Sequence, residues 1–345
     1  MNKVHWVPFE DSFFKNYQKF TWKHFGELSY QAKKNYIHWL YQENPLSLKK
    51  QDFLLGVSES ENRVLGCIHK MRLLWSYEDG NIEVPALHNL MVDESHRHGT
   101  GFMLVMASVA NEEHALMPGV GQPFTKFYQA LKYQKIDASW YIKPLKPIQG
   151  SFFYAANKLL SYSSQARYFN RSQNDNSLFK NWCTTLSPGN TMLNQLAGSM
   201  NSKDSQVISP WWNTELLKWR FFHPLGPRHI LIYERFSETI KNFAIVSLGP
   251  HRGINLARIL VLQSSSIESL KCLTENINRV IKLNGGHMVQ FFCADKKINI
   301  ELARIDWRSM KNSPDTYFYH LNKNHNFIHY SFTGNAGDFG FEGIQ

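Results

Sequence analysis

The sequence predicts an α/β protein of mixed sheets, built from two halves with the same order of elements. Three observations predict it. Each half runs strands, then a strand–helix–strand unit, then more strands. The first half places a long apolar helix directly after a glycine-bearing loop, Ser95-His96-Arg97-His98-Gly99-Thr100-Gly101. The second half carries a helix with both end signals, Ser265-Ser266-Ile267-Glu268 as a capping box and Gly285-Gly286 as a stop.

In chain order, Leu28 to Gln42 predicts a helix, with Leu28, Ala32, Tyr36 and Leu40 on one face and Pro45 beyond its end. Phe53–Val57 and Val64–Trp75 predict strands joined by the polar turn Ser58 to Asn62, and Val84–Val92 predicts another. Phe102 to His114 is too long and apolar for a strand and predicts a buried helix. Met117 to Pro123 predicts a broken strand, Phe124 to Gln134 a helix and Ser139 to Ile142 a strand. Periodicity weakens from Lys143 to Gln206, where Pro, Ser, Asn and Gln accumulate, with a helical piece near Phe152 to Ser161. It resumes with a helix over Thr214–Phe221, strands over Ile230–Phe236, Phe243–Leu248 and Asn255–Leu262, the capped helix, a strand over His287–Ala294 and a short helix to Ala303. Thr316–His320 and Phe327–Phe332 predict closing strands. The boundaries that follow are 1–147, a connection over 148–206, and 207–345.

Hydrophobic residues make up 43% of the 345 and charged residues 19%, which excludes wholesale disorder. The net charge of +10 favours anionic partners without choosing among nucleic acid, nucleotide or coenzyme A. Cys67, Cys183, Cys272 and Cys293 form no CxxC, which excludes a zinc ribbon and a dithiol motif and predicts reduced, mostly buried thiols. No spaced histidines or carboxylates form a metal site. The stretch Met1 to Pro8 lacks the apolar core of a signal peptide, and Gly101 to Ala110 is too short to span a bilayer. The expectation is a soluble cytoplasmic protein with no membrane or nucleic-acid partner and an open oligomeric state.

Chemistry concentrates between Ala86 and His114. Glycines between a strand and a helix free consecutive N–H groups, and the helix start adds positive potential, so this loop suits a pyrophosphate. His96, Arg97 and His98 add cations. No GK[ST] follows and no GxGxxG is present, so neither a Walker loop nor a dinucleotide fold is supported.

This stretch resembles motif A, [Q/R]xxGx[G/A], of the GNAT superfamily of acyl-CoA N-acyltransferases. Phe127-Tyr128-Gln129-Ala130-Leu131-Lys132-Tyr133 is similar to the later FYxxxGF helix of that family. Gly119-Val120-Gly121-Gln122-Pro123 resembles the fifth-strand bulge of members from surface-polysaccharide clusters, and Leu217 to Pro224 resembles a WRxxxxP block of two-domain members. The resemblance implies two tandem GNAT-like domains, acyl-CoA on the first, and the acceptor site completed by the second. It implies coenzyme A binding by Met91, His96, Arg97, His98, Gly99, Thr100 and Gly101, with backbone N–H groups of Met91 and Val92 facing the oxyanion. It further implies transfer of a 3-hydroxybutanoyl or acetyl group to the amine of a dTDP-linked 3-amino-3,6-dideoxyhexose, for O-antigen or lipopolysaccharide biosynthesis.

Aminolysis of a thioester needs a neutral amine, an oxyanion donor and a proton for the departing sulfur. Tyr128 falls on the tyrosine that protonates the thiolate in the resemblance. Three residues stand as bases: His88 on the strand, Glu94 at the loop mouth, and Asp338 in the glycine-rich tail Thr333 to Gly340. Each has a plainer alternative: a buried histidine bonded to a backbone carbonyl, a solvated carboxylate, and a mobile end. A covalent route through Cys67 is the rival with least support, since no histidine lies near it in sequence. Trp211, Trp212, Trp219 and Arg220 stand as acceptor-site residues, with a core role as the alternative for the tryptophans. The competing classes are an aminoacyl-tRNA-dependent transferase of the cell-wall type, which the coenzyme-type loop disfavours, and a nucleic-acid-binding protein, which the dispersed basic residues disfavour.

Overall fold

The computed structural model describes residues 4–27, 29–47, 52–59, 63–77, 80–97, 99–160, 164–169, 181–201, 204, 206–235, 239–305, 307–311, 313–321, 329–337, 340, 341 and 344. The chain divides into two units. One comprises Met1–Trp75, Ile82–Ile136 and Pro314–Asn326, and the other Ser76–Asn81, Asp137–Ser313 and Phe327–Gln345.

The first unit contains β1 (Val4–Pro8), α1 (Phe14–Phe25), α2 (Lys34–Tyr41), β2 (Phe53–Ser58), β3 (Val64–Tyr77), β4 (Gly80–Val92), α3 (Thr100–Val109), β5 (His114–Val120), α4 (Thr125–Ala130) and β6 (Gln134–Ile136). The second contains β7 (Ser139–Pro144), α5 (Pro147–Leu160), β8 (Trp182–Thr185), α6 (Asn190–Met200), β9 (Val207–Pro210), α7 (Thr214–Phe222), β10 (His229–Glu234), β11 (Phe243–His251), β12 (Ile254–Gln263), α8 (Ile267–Leu283), β13 (Met288–Cys293), α9 (Lys296–Arg304) and β14 (Arg308–Ser309). The chain then supplies β15 (Asp315–His320) to the first unit and β16 (His329–Tyr330) to the second.

Each unit is built on a mixed sheet. In the first the main path runs β1-β2-β3-β4-β5-β15-β6, and in the second β8-β10-β11-β12-β13-β7-β14. The two orders correspond strand for strand. The sixth strand of each sheet comes from the chain segment of the other half. β7 pairs antiparallel with β13, from Ser139↔Cys293 to Pro144↔Met288, and β15 pairs antiparallel with β5 and β6. The first unit runs without a break from Ile82 to Ile136, and the stretch 148–206 supplies β8, which pairs with β10 at the edge of the second sheet.

In the first unit α3 lies on the sheet through Leu104, Val105 and Val109, all buried beside Ile68, Leu87, Ala115 and Met117. Its approach is close because β3 carries Gly66 beneath it. A Cβ there would sit 2.9 Å from Leu104 Cδ1 and 3.1 Å from the Met91 carbonyl oxygen. Asp52, Lys70 and Arg72 are buried together in this unit, and the half-buried Glu112 after α3 joins them. In the second unit α8 covers the sheet through Leu270, Leu273, Ile277, Val280 and Ile281. Its cap is Ser266, which accepts from the Ser269 N–H, so the predicted box is shifted by one residue.

Other elements depart from expectation for local reasons. The helix predicted over 28–42 is a 3-10 turn, Tyr30–Ala32, followed by α2, because Lys33 is extended between them. The helix predicted over 124–134 stops at Ala130. Lys132 takes a φ of 61°, a left-handed conformation that ends the helix, and β6 begins at Gln134.

His229 opens β10 with 1% of its surface exposed, and its Nδ1 lies 3.0 Å from the Phe221 carbonyl oxygen. Burial, with the nearby Arg220 charge, pushes its pKa down to about 3, against the pull of that carbonyl. A histidine held neutral in the fold takes up its proton on unfolding once the pH falls below about 6.5. Its contribution is complete above that pH and is lost as the pH falls toward 3. Urea unfolding at pH 7 and pH 5.5 should give a loss that His229→Gln reduces by about 1 kcal/mol. An equal loss in both proteins would remove His229 from the acid sensitivity.

Candidate functional site

β4 and β5 form a parallel pair with one register position, Ala86↔Leu116, and then part. The β4 edge beyond that point is where the site is built. The Asp93 N–H donates to the Leu65 carbonyl on β3 at 2.7 Å, and the Met91 N–H, two residues back along the strand, faces the same edge. Backbone N–H groups alternate along a strand, so those of Leu90 and Val92 face the opposite edge, which β5 has left. Of the two expected oxyanion donors, Val92 is turned to the opening and Met91 is not.

Asp93 ends β4 and organises the loop. Its Oδ1 accepts from the Ser95 N–H at 3.2 Å and from Ser95 Oγ at 2.7 Å, while Oδ2 pairs with Lys23 Nζ at 2.7 Å. The bond from Lys23 leads the effects that hold its carboxyl far below the usual carboxylate range. Ser95 Oγ lies 2.8 Å from His96 Nδ1, which fixes that ring against the turn. Arg97 is exposed and pairs with the equally exposed Glu94 at 3.4 Å, so Glu94 is a solvated carboxylate. His98 lies outside the described residues. Gly99 takes a φ of 88°, which favours glycine, and α3 begins at Thr100. The first N–H groups of α3 have no helical partner and point from the loop. A Cβ on Gly101 would lie 3.6 Å from Val92 Cγ2, so the start of α3 stands directly over the end of β4.

Three cations absent from the sequence argument lie beside this loop. Lys19, Lys23 and Arg63 line a pocket of about 490 Å³ together with Asp93. Lys19 and Lys23 are four apart on α1 and share a face, but only the fold brings them to the end of β4.

His88 lies on β4, buried, with its ring 5.4 Å from that of His69. His69 is fully buried between Tyr17, whose hydroxyl lies 3.0 Å from Nε2, and Tyr41, 2.6 Å from Nδ1. Burial, and secondarily His88, hold it well below the usual histidine range, so it stays neutral. The neighbour of His88, Asn89, has a φ of 51°. Its Oδ1 accepts from Gln31 Nε2 at 3.3 Å and the Tyr30 hydroxyl at 3.4 Å, while Nδ2 donates to the Tyr36 hydroxyl at 3.2 Å and reaches His88 Nδ1 at 3.2 Å. With Asn89 donating, the His88 proton resides on Nε2 and the Nδ1 lone pair is occupied.

Tyr128 is buried on α4, stacked on Tyr317 at 5.4 Å. Burial pushes its phenol up to about 12. Burial likewise pushes the Cys67 thiol far up, which removes it as a nucleophile. Three of the four cysteines are buried, and Cys272 is exposed.

The second unit closes its corresponding gap. β12 and β13 pair over four positions, Leu256↔Met288 to Ile259↔Phe291. Beyond them Thr333 bridges Cys293, the Ala294 N–H donates to the Phe332 carbonyl, and Thr333 Oγ1 donates to the Leu260 carbonyl. Trp219 and Arg220, expected at an acceptor site, are 2% and 0% exposed. They fill the core because α7 turns them inward. Arg220 Nη2 donates to the Gly337 carbonyl at 3.0 Å, and its guanidinium lies over the rings of Phe221 and Phe341. Asp338 lies outside the described residues. Among the described residues no group of three or more His, Cys, Asp or Glu could hold a metal ion, and no helix is long and apolar enough to cross a membrane.

No protein-family model and no curated protein matches the sequence. Solved structures do. An N-myristoyltransferase from Saccharomyces cerevisiae with bound myristoyl-CoA superposes with a TM-score of 0.60 at 9% identity, over 93% of this chain and 79% of that one. A second structure of the Saccharomyces cerevisiae enzyme with myristoyl-CoA gives 0.62 at 8%, over 92% and 83%. A GCN5-related N-acetyltransferase from Kribbella flavida gives 0.52 at 11%, over 93% and 71%. At these identities the likeness is one of fold. The chain has the acyl-CoA N-acyltransferase fold, as two tandem GNAT-like units.

Proposed function

We propose that this protein moves an acyl group from a coenzyme A thioester to the primary amine of a nucleotide-linked amino sugar. The observation that carries the acyl-transfer part is the parting of β4 from β5 beyond Ala86↔Leu116. It leaves the Val92 N–H facing an opening whose end is the amino terminus of α3. The free N–H groups after Gly99, with His96 and Arg97, receive the pyrophosphate. Lys19, Lys23 and Arg63 raise the positive potential alongside.

The amine attacks the thioester carbonyl, a C–N bond forms and the C–S bond breaks. Val92 donates to the oxyanion that develops between. Because the Nδ1 lone pair of His88 is occupied by Asn89, the amine proton leaves to water, and His88 holds the β4 layer in place. A phenol at about 12 does not give its proton to a thiolate of pKa about 8.5. Tyr128 therefore stabilises the departing sulfur by a hydrogen bond, and water supplies the proton.

The sugar half of the reading rests on the likeness of Gly119 to Pro123 and of Leu217 to Pro224 to two-domain sugar N-acyltransferases. It specifies a dTDP-linked 3-amino-3,6-dideoxyhexose, a 3-hydroxybutanoyl or acetyl donor, and O-antigen assembly. The burial of Trp219 and Arg220 removes them from direct contact with that sugar.

Calorimetric titration with coenzyme A, alone and with a dTDP-amino sugar, tests both halves. The native protein should bind both. Gly101→Glu, placed where a Cβ meets nothing closer than 3.6 Å, should weaken coenzyme A at least tenfold and leave the sugar heat intact. No coenzyme A binding at millimolar concentration would end the acyl-transfer reading. Coenzyme A binding without the sugar would end the sugar half alone.

A further inference from the structure

Successive side chains of a β-strand point to opposite faces, so positions three apart do not share one. β4 departs from that rule. Leu87 is buried with Leu104 and Val105 of α3, and Leu90 and Val92 pack against the same cluster. Between them His88 and Asn89 both turn to the other face. The His88 ring lies 5.4 Å from that of His69, Asn89 Nδ2 donates to the Tyr36 hydroxyl at 3.2 Å, and the Tyr36 ring is 5.6 Å from the same His69 ring. Two consecutive side chains on one face mark a β-bulge, and the φ of 51° at Asn89 is its turning point. Beyond it the alternation is regular again. Asp93 reaches Lys23 on the α1 side, while a Cβ on Gly101 would lie 4.0 Å from Leu90 Cδ2 and 3.6 Å from Val92 Cγ2 on the α3 side. The bulge therefore sits between Ala86↔Leu116, where β4 still pairs with β5, and Val92, whose N–H faces the opening.

Glycine takes a positive φ more readily than asparagine does, so the side chain is what Asn89 adds. Its Oδ1 accepts from Tyr30 and Gln31 of the 3-10 turn, and its Nδ2 donates to Tyr36 of α2 and to His88 Nδ1. The Asn89 carbonyl accepts from the Cys67 thiol, 3.6 Å away on β3, and burial keeps that thiol protonated. A left-handed residue other than glycine persists where its surroundings over-determine it. Contacts from the 3-10 turn, α2, β3 and β4 itself do so here.

We propose that Asn89 is a positioning residue for acyl transfer. Its side chain, clamped by Tyr30, Gln31 and Tyr36, locks the bulge, and the bulge fixes the direction in which Val92 presents its N–H to the oxyanion. Asn89 itself touches no reacting atom. The proposal rests on the acyl-transfer reading and adds to it the residues that hold the oxyanion donor in place. It does not depend on the sugar. A donor misplaced by about 1 Å forfeits up to about a hundredfold in rate, while binding of the coenzyme through the α3 loop is untouched.

The test is acetyl transfer from acetyl-CoA to hydroxylamine, a small amine that needs no sugar pocket, run beside calorimetric titration with coenzyme A. Asn89→Gly keeps the φ and removes the clamp. It should lower kcat about 10- to 100-fold, with the KM for acetyl-CoA and the Kd for coenzyme A within about twofold of native. Tyr36→Phe removes one hydroxyl of the clamp and keeps the ring, so it reads the clamp even where Asn89→Gly fails to fold. It should lower kcat about threefold or more, and should add nothing to Asn89→Gly in the double variant. A folded Asn89→Gly with native kcat overturns the proposal, as does a loss confined to KM or a fully additive double variant. So does a native protein that binds coenzyme A but acetylates no hydroxylamine. A native protein that binds no coenzyme A ends the acyl-transfer reading itself.

Discussion

Arg72→Met should lower the stability of the first unit by about 3–5 kcal/mol, the usual cost of stranding one partner of a buried ionic network. Arg72 is 1% exposed at the centre of four charges. Its Nε donates to Asp52 Oδ1 at 2.8 Å and Oδ2 at 2.9 Å, and Nη1 and Nη2 reach Glu112 at 3.0 and 2.6 Å. Lys70 Nζ adds a bond to Glu112 at 2.8 Å. In the interior two cations face two carboxylates, and the more exposed Glu83 lies 3.8 Å from Arg72 Nη1 at the rim. Methionine keeps the volume but leaves Lys70 facing two carboxylates. Arg72→Met/Asp52→Asn restores neutrality with Lys70 against Glu112, and should recover a measurable part of the loss. Urea midpoints of the native, single and double variants decide it. A double variant less stable than the single one would contradict the charge-balance account.

That network also marks where the sequence could be read and where it could not. Strands were legible wherever an apolar run was bounded by turn residues. Val64 to Trp75 and Phe243 to Leu248 are of this kind, and β3 and β11 include them. The loop from Ser95 to Gly101 was legible as a strand–helix junction because Gly99 is needed for its φ of 88°. Lys70 and Arg72, by contrast, look like the polar residues of an alternating strand. Their burial depends on Asp52 and Glu112, which lie 18 and 42 residues from Lys70 and whose side chains no periodicity predicts. Trp219 and Arg220 fail in the opposite sense. Arg220 reads as an acceptor-site cation, but the Gly337 carbonyl and two aromatic rings, more than a hundred residues away or adjacent on α7, make its interior position tenable. Asn89 carried no signal at all, since a strand position gives no hint of a positive φ or of four side-chain partners.

The exchange of β7 and β15 was invisible for a related reason. Local pattern identifies a strand but not its partner, and Ser139 to Pro144 reads equally well as the last strand of either half. The consequence for folding is large. A fragment 1–147, the first half as the sequence divides it, lacks β15 and should not fold. In the intact protein β15 buries Tyr317 and Phe318, at 0% and 1% exposure, which contribute roughly 2 kcal/mol each. It also fastens the end of the sheet. Asp315 accepts from Lys135 at 2.7 Å and from Thr125 at 2.9 Å, so β6 and α4 both lose an anchor without it. The same fragment retains β7 with no β13 to pair with, which uncovers Trp140 and Tyr141, each 4% exposed in the whole chain. These losses rival the 5–15 kcal/mol by which a domain is ordinarily stable. A graft that ends the fragment at Ile136 and appends residues 313–321 through a flexible linker should restore a cooperative melt. Circular dichroism of the two fragments separates the cases. A cooperative transition in 1–147 itself would mean that β15 adds to a unit already complete.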